Sequence, residues 1–141
     1  MATKIDLTVP PACLCFNLRK AARAVTRALD VALKPVGLTA TQFSVLAVLR
    51  AMDEAAMSRL AEAMGADRTT LTRNLAVMER DGLIAYRASE DRRERRVALT
   101  GRGRKAYEKA LPLWRAFQGR LVSRLGEKEA ARLLTLLSAA A

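Results

Sequence analysis

The chain has 141 residues, the span of one compact domain long enough to bury a core of its own. Its 25 basic residues outnumber 14 acidic ones for a net charge of +11, and 19 of the 25 are Arg; because Arg forks onto phosphates and guanine edges, the expected partner is an anion, with nucleic acid ahead of simple solubility as the reason for the charge. The absence of His excludes Ser-His-Asp and Cys-His catalysis, the H-E-x-x-H metalloprotease helix and every His-containing zinc site, and two Cys are too few for a four-thiolate site.

The expectation is therefore a protein that is not an enzyme and carries no metal and no cofactor. Two thiols without a disulfide framework suit a reducing cytoplasm. No uncharged apolar run approaches the roughly 18–20 residues of a membrane span, and the N-terminal stretch LTVPPACLCFNL is broken by Pro10-Pro11 and followed by Arg19-Lys20, so neither a signal peptide nor an anchor is expected. With 27 Ala, 21 Leu and 19 Arg, all strong helix formers, close to half of the chain favours helix and the fold class is expected to be mainly α.

Pro10 and Pro11 fit the opening of a first helix, in which Leu14, Leu18, Ala21, Val25, Ala28 and Ala32 recur at spacings of three and four. It runs to about Leu33, where Pro35 and Gly37 stop it; Arg19, Arg23 and Arg27 form a basic row on another face. Thr39 and Gln42 have capping-box spacing, and the stretch from Phe43 to Met52 is apolar nearly all round, which predicts a buried second helix. A short helix follows from about Ser58 to Met64, ended by Gly65, and Asp67 stands where an N-cap begins another. Two helices separated by a few residues around a Gly form a helix-turn-helix signature.

In the second of these, Leu71, Leu75 and Met78 make the seam and leave Arg68, Thr69, Thr70, Thr72, Arg73 and Asn74 on or near the open side, the end at which such a helix meets base edges in a major groove. Gly82 closes it. LIAYRA and RRVALT then read as two short strands flanking the polar tip SEDRRE, a two-stranded β-wing whose segment from Arg87 to Arg96 holds five Arg against three acids. Thr100 caps a long final stretch with Tyr107, Leu111, Trp114, Leu121 and Leu125 in helical phase; Pro112 predicts a kink or break, and Gly126 separates a last helix carrying Leu133, Leu134, Leu136 and Leu137.

The winged helix-turn-helix occupies residues 39–100, and the apolar stripes of 10–35 and 101–141 exceed what so small a module can cover. The expected solution is a homodimer in which these terminal helices from two copies share a core, setting two recognition helices one DNA turn apart on a pseudo-palindromic site. Phe43, Trp114, Phe16 and the Met residues could line an effector pocket, but their helical spacing fits core positions.

The segment LAEAMGADRTTLTRNLAVMERDGLIAYRASEDRRERRVALTGRGR, preceded by GLTATQFSVLAVL, resembles the MarR family, the multiple antibiotic resistance regulators of bacteria, over nearly the whole of residues 1–141. The resemblance implies a dimeric winged-helix repressor or activator whose DNA affinity is modulated by a small-molecule effector or by thiol oxidation. Carried over by position, it assigns groove and phosphate contacts to Arg68, Thr69, Thr70, Thr72 and Arg73. It also makes Asp91 the wing buttress and Arg93 the side chain that reaches a minor groove; Arg92 and Arg95 read as phosphate contacts.

Cys13 and Cys15 fall in the first turns of the first helix, where unpaired N–H groups and the helix dipole favour a thiolate. Side chains at i and i+2 of a helix diverge, which disfavours a disulfide between them. LCFNLR is similar to the first helix of organic-peroxide-sensing family members, with Cys15 at the position of their reactive thiol, although Arg19 and Leu29 stand where those proteins carry supporting tyrosines. Redox sensing and inert packing are the two readings. For the whole chain the rival of a sequence-specific regulator is a non-specific architectural DNA-binding protein, with a Cys15 thiol peroxidase a distant third.

Overall fold

The computed structural model describes residues 5–141, and it is mainly helical with one small antiparallel sheet. Pro10–Ala12 form a separate 3-10 turn, and helix α1 follows over Leu14–Leu33 with Cys13 as its N-cap. The prolines thus precede the helix instead of opening it. Cys13, at φ −57° and ψ 116°, lies outside the helical backbone, so the helical-divergence argument against a Cys13–Cys15 disulfide loses its premise.

A second 3-10 turn, Lys34–Val36, ends at Gly37 and leads into α2, Ala40–Met52. The capping box at its start is complete: the Gln42 amide donates to Thr39 Oγ1 at 3.1 Å and the Thr39 amide to Gln42 Oε1 at 3.0 Å. Asp30 Oδ1 on α1 takes the next amide, that of Ala40, at 2.7 Å, which ties the two helices together. Beyond α2 come β1 (Glu54–Ala56), α3 (Met57–Met64), α4 (Arg68–Arg80), β2 (Ile84–Arg87) and β3 (Arg96–Leu99), then α5 (Gly101–Leu125) and α6 (Glu127–Ala140). Gly65, at φ 57°, makes the left-handed turn between α3 and α4 that a residue with a Cβ would resist.

The two expected strands form the wing hairpin, Ile84 pairing with Leu99 and Arg87 with Arg96. The sheet is nevertheless three-stranded, in the order β1-β3-β2, because Glu54, Ala55 and Ala56 pair with Ala98, Val97 and Arg96. Nothing in an Ala-rich triplet signals a strand; the free edge of β3 recruits it. The expected break at Pro112 is also absent, and α5 is continuous. Pro112 is exposed, so water can reach the Glu108 carbonyl that lacks its amide partner, while Leu111, Leu113 and Trp114 pack against the core and keep the helix in line on both sides.

The core lies within the lobe: Val45, Leu46 and Leu49 of α2 meet Leu60 of α3, Leu71, Leu75 and Met78 of α4, and Ile84 and Val97 of the sheet. Leu33 from α1 and Ala110 from α5 close it, and each fully buried Leu contributes roughly 1.5–3 kcal/mol. Phe43 is buried and stacks on Tyr107 (5.6 Å) and Trp114 (5.9 Å), which joins α2 to α5; Phe16 is exposed. Gly103 sits so tightly on the Leu83 backbone that any Cβ would overlap the Leu83 carbonyl oxygen. No single helix among the described residues is long and apolar enough to cross a membrane.

Candidate nucleic-acid interface

The α4 seam holds this helix to the lobe through Leu71, Leu75 and Met78, all buried, which turns the opposite side of its first turns outward. Arg68, Thr69, Thr70, Thr72 and Arg73 are all exposed there, whereas Asn74 is half-buried at the seam's edge. The N-cap is Asp67. Its Oδ1 accepts the Thr70 amide at 2.9 Å and its Oδ2 the Thr70 hydroxyl at 2.7 Å; these two hydrogen bonds hold the carboxyl below its ordinary value of 3.8.

Two of the three hydroxyls on this face already donate inward, Thr70 to Asp67 and Thr72 Oγ1 to the Arg68 carbonyl at 2.7 Å. Facing a nucleic acid they present acceptors, and Thr69 is the threonine whose proton is uncommitted. Neither Arg68 nor Arg73 has a carboxylate within 4.0 Å among the described residues, so both guanidinium groups are free for an external anion.

The wing divides its five arginines by height. At the base Glu54 of β1 pairs with Arg96 at 2.7 Å and reaches Arg87 at 4.0 Å, which pins both to the sheet. Midway, the Arg95 guanidinium lies 4.7 Å over the Tyr86 ring, so Arg95 is fixed by cation–π contact before any partner arrives. Burial and the nearby Glu79 carboxylate raise the Tyr86 phenol above its ordinary value. At the tip Arg92 and Arg93 project with neither a carboxylate nor an aromatic partner among the described residues.

Asp91 Oδ1 accepts the Arg93 amide at 3.0 Å and the Asp91 carbonyl accepts the Glu94 amide at 3.0 Å, so this residue shapes the turn on which Arg93 stands. The helix face and the strands that carry the wing belong to one lobe, with Leu75 of α4 and Val97 of β3 in the same core. Glu54 and Tyr86 went unnoticed in the sequence. The first acts only because β1 exists, and the second only because β2 and β3 pair to put it under Arg95.

Cys13 and Cys15 lie far along the chain from this lobe, both exposed in the single chain and not bonded to each other. No group of three or more metal-ligating side chains occurs among the described residues.

Residues 36–94 match the model of the MarR family. In structure the chain is similar to the Mycobacterium tuberculosis transcriptional regulator MosR in complex with DNA, at 45% identity, 91% of this chain, 98% of that one and a TM-score of 0.78. It is also similar to a cysteine-to-serine mutant of MarR from Escherichia coli complexed with operator DNA, at 25% identity, 98% and 99% coverage and a TM-score of 0.83. In sequence it is 32% identical over 101 residues to the organic hydroperoxide resistance transcriptional regulator of Bacillus subtilis, covering 71% of this chain and 69% of that protein.

Proposed function

This chain belongs to the MarR family, and on that premise we propose that it is a cytoplasmic, sequence-specific DNA-binding regulator that occupies a promoter as a homodimer and represses it. The observation that carries the DNA reading is the pairing, on one lobe, of the open α4 face bearing Arg68, Thr69 and Arg73 with a wing tip bearing Arg92 and Arg93. A helix of this exposure fits a major groove; an Arg held on a tight turn fits the adjacent minor groove, where narrow stretches concentrate negative potential.

The homodimer is supported by surfaces that one copy leaves bare. No residue of α6 is buried, and Leu134 and Leu136 are 62% and 57% exposed. Beside them a groove of about 600 Å³ runs between Ala21, Val25 and Ala28 of α1 and Phe117, Leu121 and Leu125 of α5. A second copy is the partner that satisfies both through one two-fold contact, and it sets two α4 helices on half-sites roughly 10 base pairs apart.

Release follows when a small ligand, or oxidation at exposed Cys13 or Cys15, favours a spacing of the lobes that DNA does not. Coupling of about 1–3 kcal/mol suffices to change affinity 5–150-fold. The deciding experiment compares the reduced protein, at fixed near-physiological salt, on the intergenic duplex beside its own gene and on a shuffled duplex of equal length. A preference of about 10³-fold or more is the expected outcome. Equal affinity would instead favour architectural binding, to which the +11 charge is equally suited.

A further inference from the structure

A pocket of about 900 Å³ opens where three elements meet: the turn between α1 and α2, the C-terminal end of α4, and the first turns of α5. Its apolar lining is formed by Val36, Leu38, Leu83 and Ala106, and its charged lining is four cations, Arg80, Arg102, Lys105 and Lys109, against one carboxylate, Asp81. Arg80 shares its charge with Asp81 at 3.1 Å, but Arg102, Lys105 and Lys109 have no carboxylate within 4.0 Å among the described residues. These three follow one another at i, i+3 and i+7 along one face of α5. Like charges at such spacing repel, and a helix gains nothing from them unless a counter-anion is supplied from outside.

We propose that this pocket is a binding site for a small organic anion of the phosphate-ester class. One negative charge would leave most of the cationic lining uncompensated; a phosphate monoester brings close to two charges at neutral pH, with three acceptor oxygens for Arg and Lys donors. The apolar lining then takes the organic part of the ester, which free phosphate lacks. Distance also separates these cations from the open α4 face: Arg80 stands twelve residues beyond Arg68, about 18 Å along α4 at 1.5 Å per residue.

The site has a regulatory consequence that rests on the proposed function. Its walls are the α1–α2 joint, where Asp30 holds the Ala40 amide, and the far end of the helix that faces DNA. An occupant bridging them sets the angle between the terminal helices and the lobe.

The test is calorimetric titration of the full-length protein with phenyl phosphate, inorganic phosphate and phenol, without DNA. Phenyl phosphate should bind about tenfold or more tightly than either of the others, since both its charge and its ring are used. The Lys105→Gln/Lys109→Gln variant should lose that affinity by about tenfold or more, Lys105→Arg/Lys109→Arg should retain it, and Arg59→Ala, exposed on α3 and outside the pocket, should leave it unchanged. Circular dichroism and the unfolding midpoint verify that each variant is folded. Equal binding of phosphate and its ester, or an undiminished affinity in the Gln variant, overturns the proposal.

A fall of about two in the salt slope of duplex binding by the Gln variant also overturns it, because these lysines would then be DNA phosphate contacts. If no duplex binds at all, the regulator reading fails while the calorimetric arm still decides the pocket.

Discussion

The lobe and the terminal helices use apolar residues in opposite ways. Leu46, Leu49, Leu60 and Leu75 in the lobe are fully buried, whereas in α1 every residue from Leu14 to Ala28 is exposed and the helix buries only Leu33 at its end. Both regions carry leucines in helical phase, so periodicity alone does not distinguish them. The lobe closes because three helices and a sheet surround one point; the terminal helices form a layer with one side bare, the side on which the proposed second copy would pack.

The largest expected effect sharpens this contrast. Leu75→Ala should destabilise the protein by about 2–5 kcal/mol, equally at low and high protein concentration, in chemical denaturation. Leu134→Ala should instead show a loss that grows on dilution, as expected of a side chain that stabilises only through association. Concentration-independent loss in both variants would break the comparison and make α6 part of the intrachain fold.

Next in size, Arg73→Ala should weaken binding to the specific duplex by about 1–3 kcal/mol and relax preference at one base pair, if it contacts a base edge. An affinity loss uniform across all single-base variants of the site would assign Arg73 to phosphate. Smaller is the effect expected of Arg93→Ala at the wing tip, a salt slope reduced by about one with major-groove preference intact; binding titrations at several salt concentrations measure it.

The smallest effect concerns pH. Asp67 has a lower pKa in the folded chain than its ordinary 3.8, so its carboxylate stabilises the start of α4 above that value, and the contribution is lost as pH falls through the lower, folded value. The gap in thermal midpoint between the protein and Asp67→Ala should accordingly be larger at about pH 6 than at about pH 3. A gap that widens on acidification would show that the cap does not act through its charge.

Much of this was legible along the chain because it is local. Thr39 with Gln42, Asp67 with Thr70, and Thr100 with Gly103 are caps spanning three residues, and each forms as its spacing dictates. The seam of α4 and its exposed Arg and Thr face are likewise a matter of helical period. Glu54 was not legible, since its partner Arg96 stands 42 positions further along the chain and meets it only once the chain has folded back. The same holds for Arg95 over Tyr86, for Asp30 at the Ala40 amide, and for the basic lining that Arg80 of α4 shares with Arg102, Lys105 and Lys109 of α5.

The sequence by itself therefore determined the helices, their caps, the wing hairpin and the exposed Arg and Thr face of α4, since these depend on neighbours within one or two turns. Tertiary structure decided that three alanine-rich residues become a strand, that α5 passes Pro112 unbroken, and which wing arginines are tied down and which project. Those outcomes depend on a free strand edge, a solvated carbonyl and a carboxylate arriving from elsewhere, and none of these exists until distant segments meet.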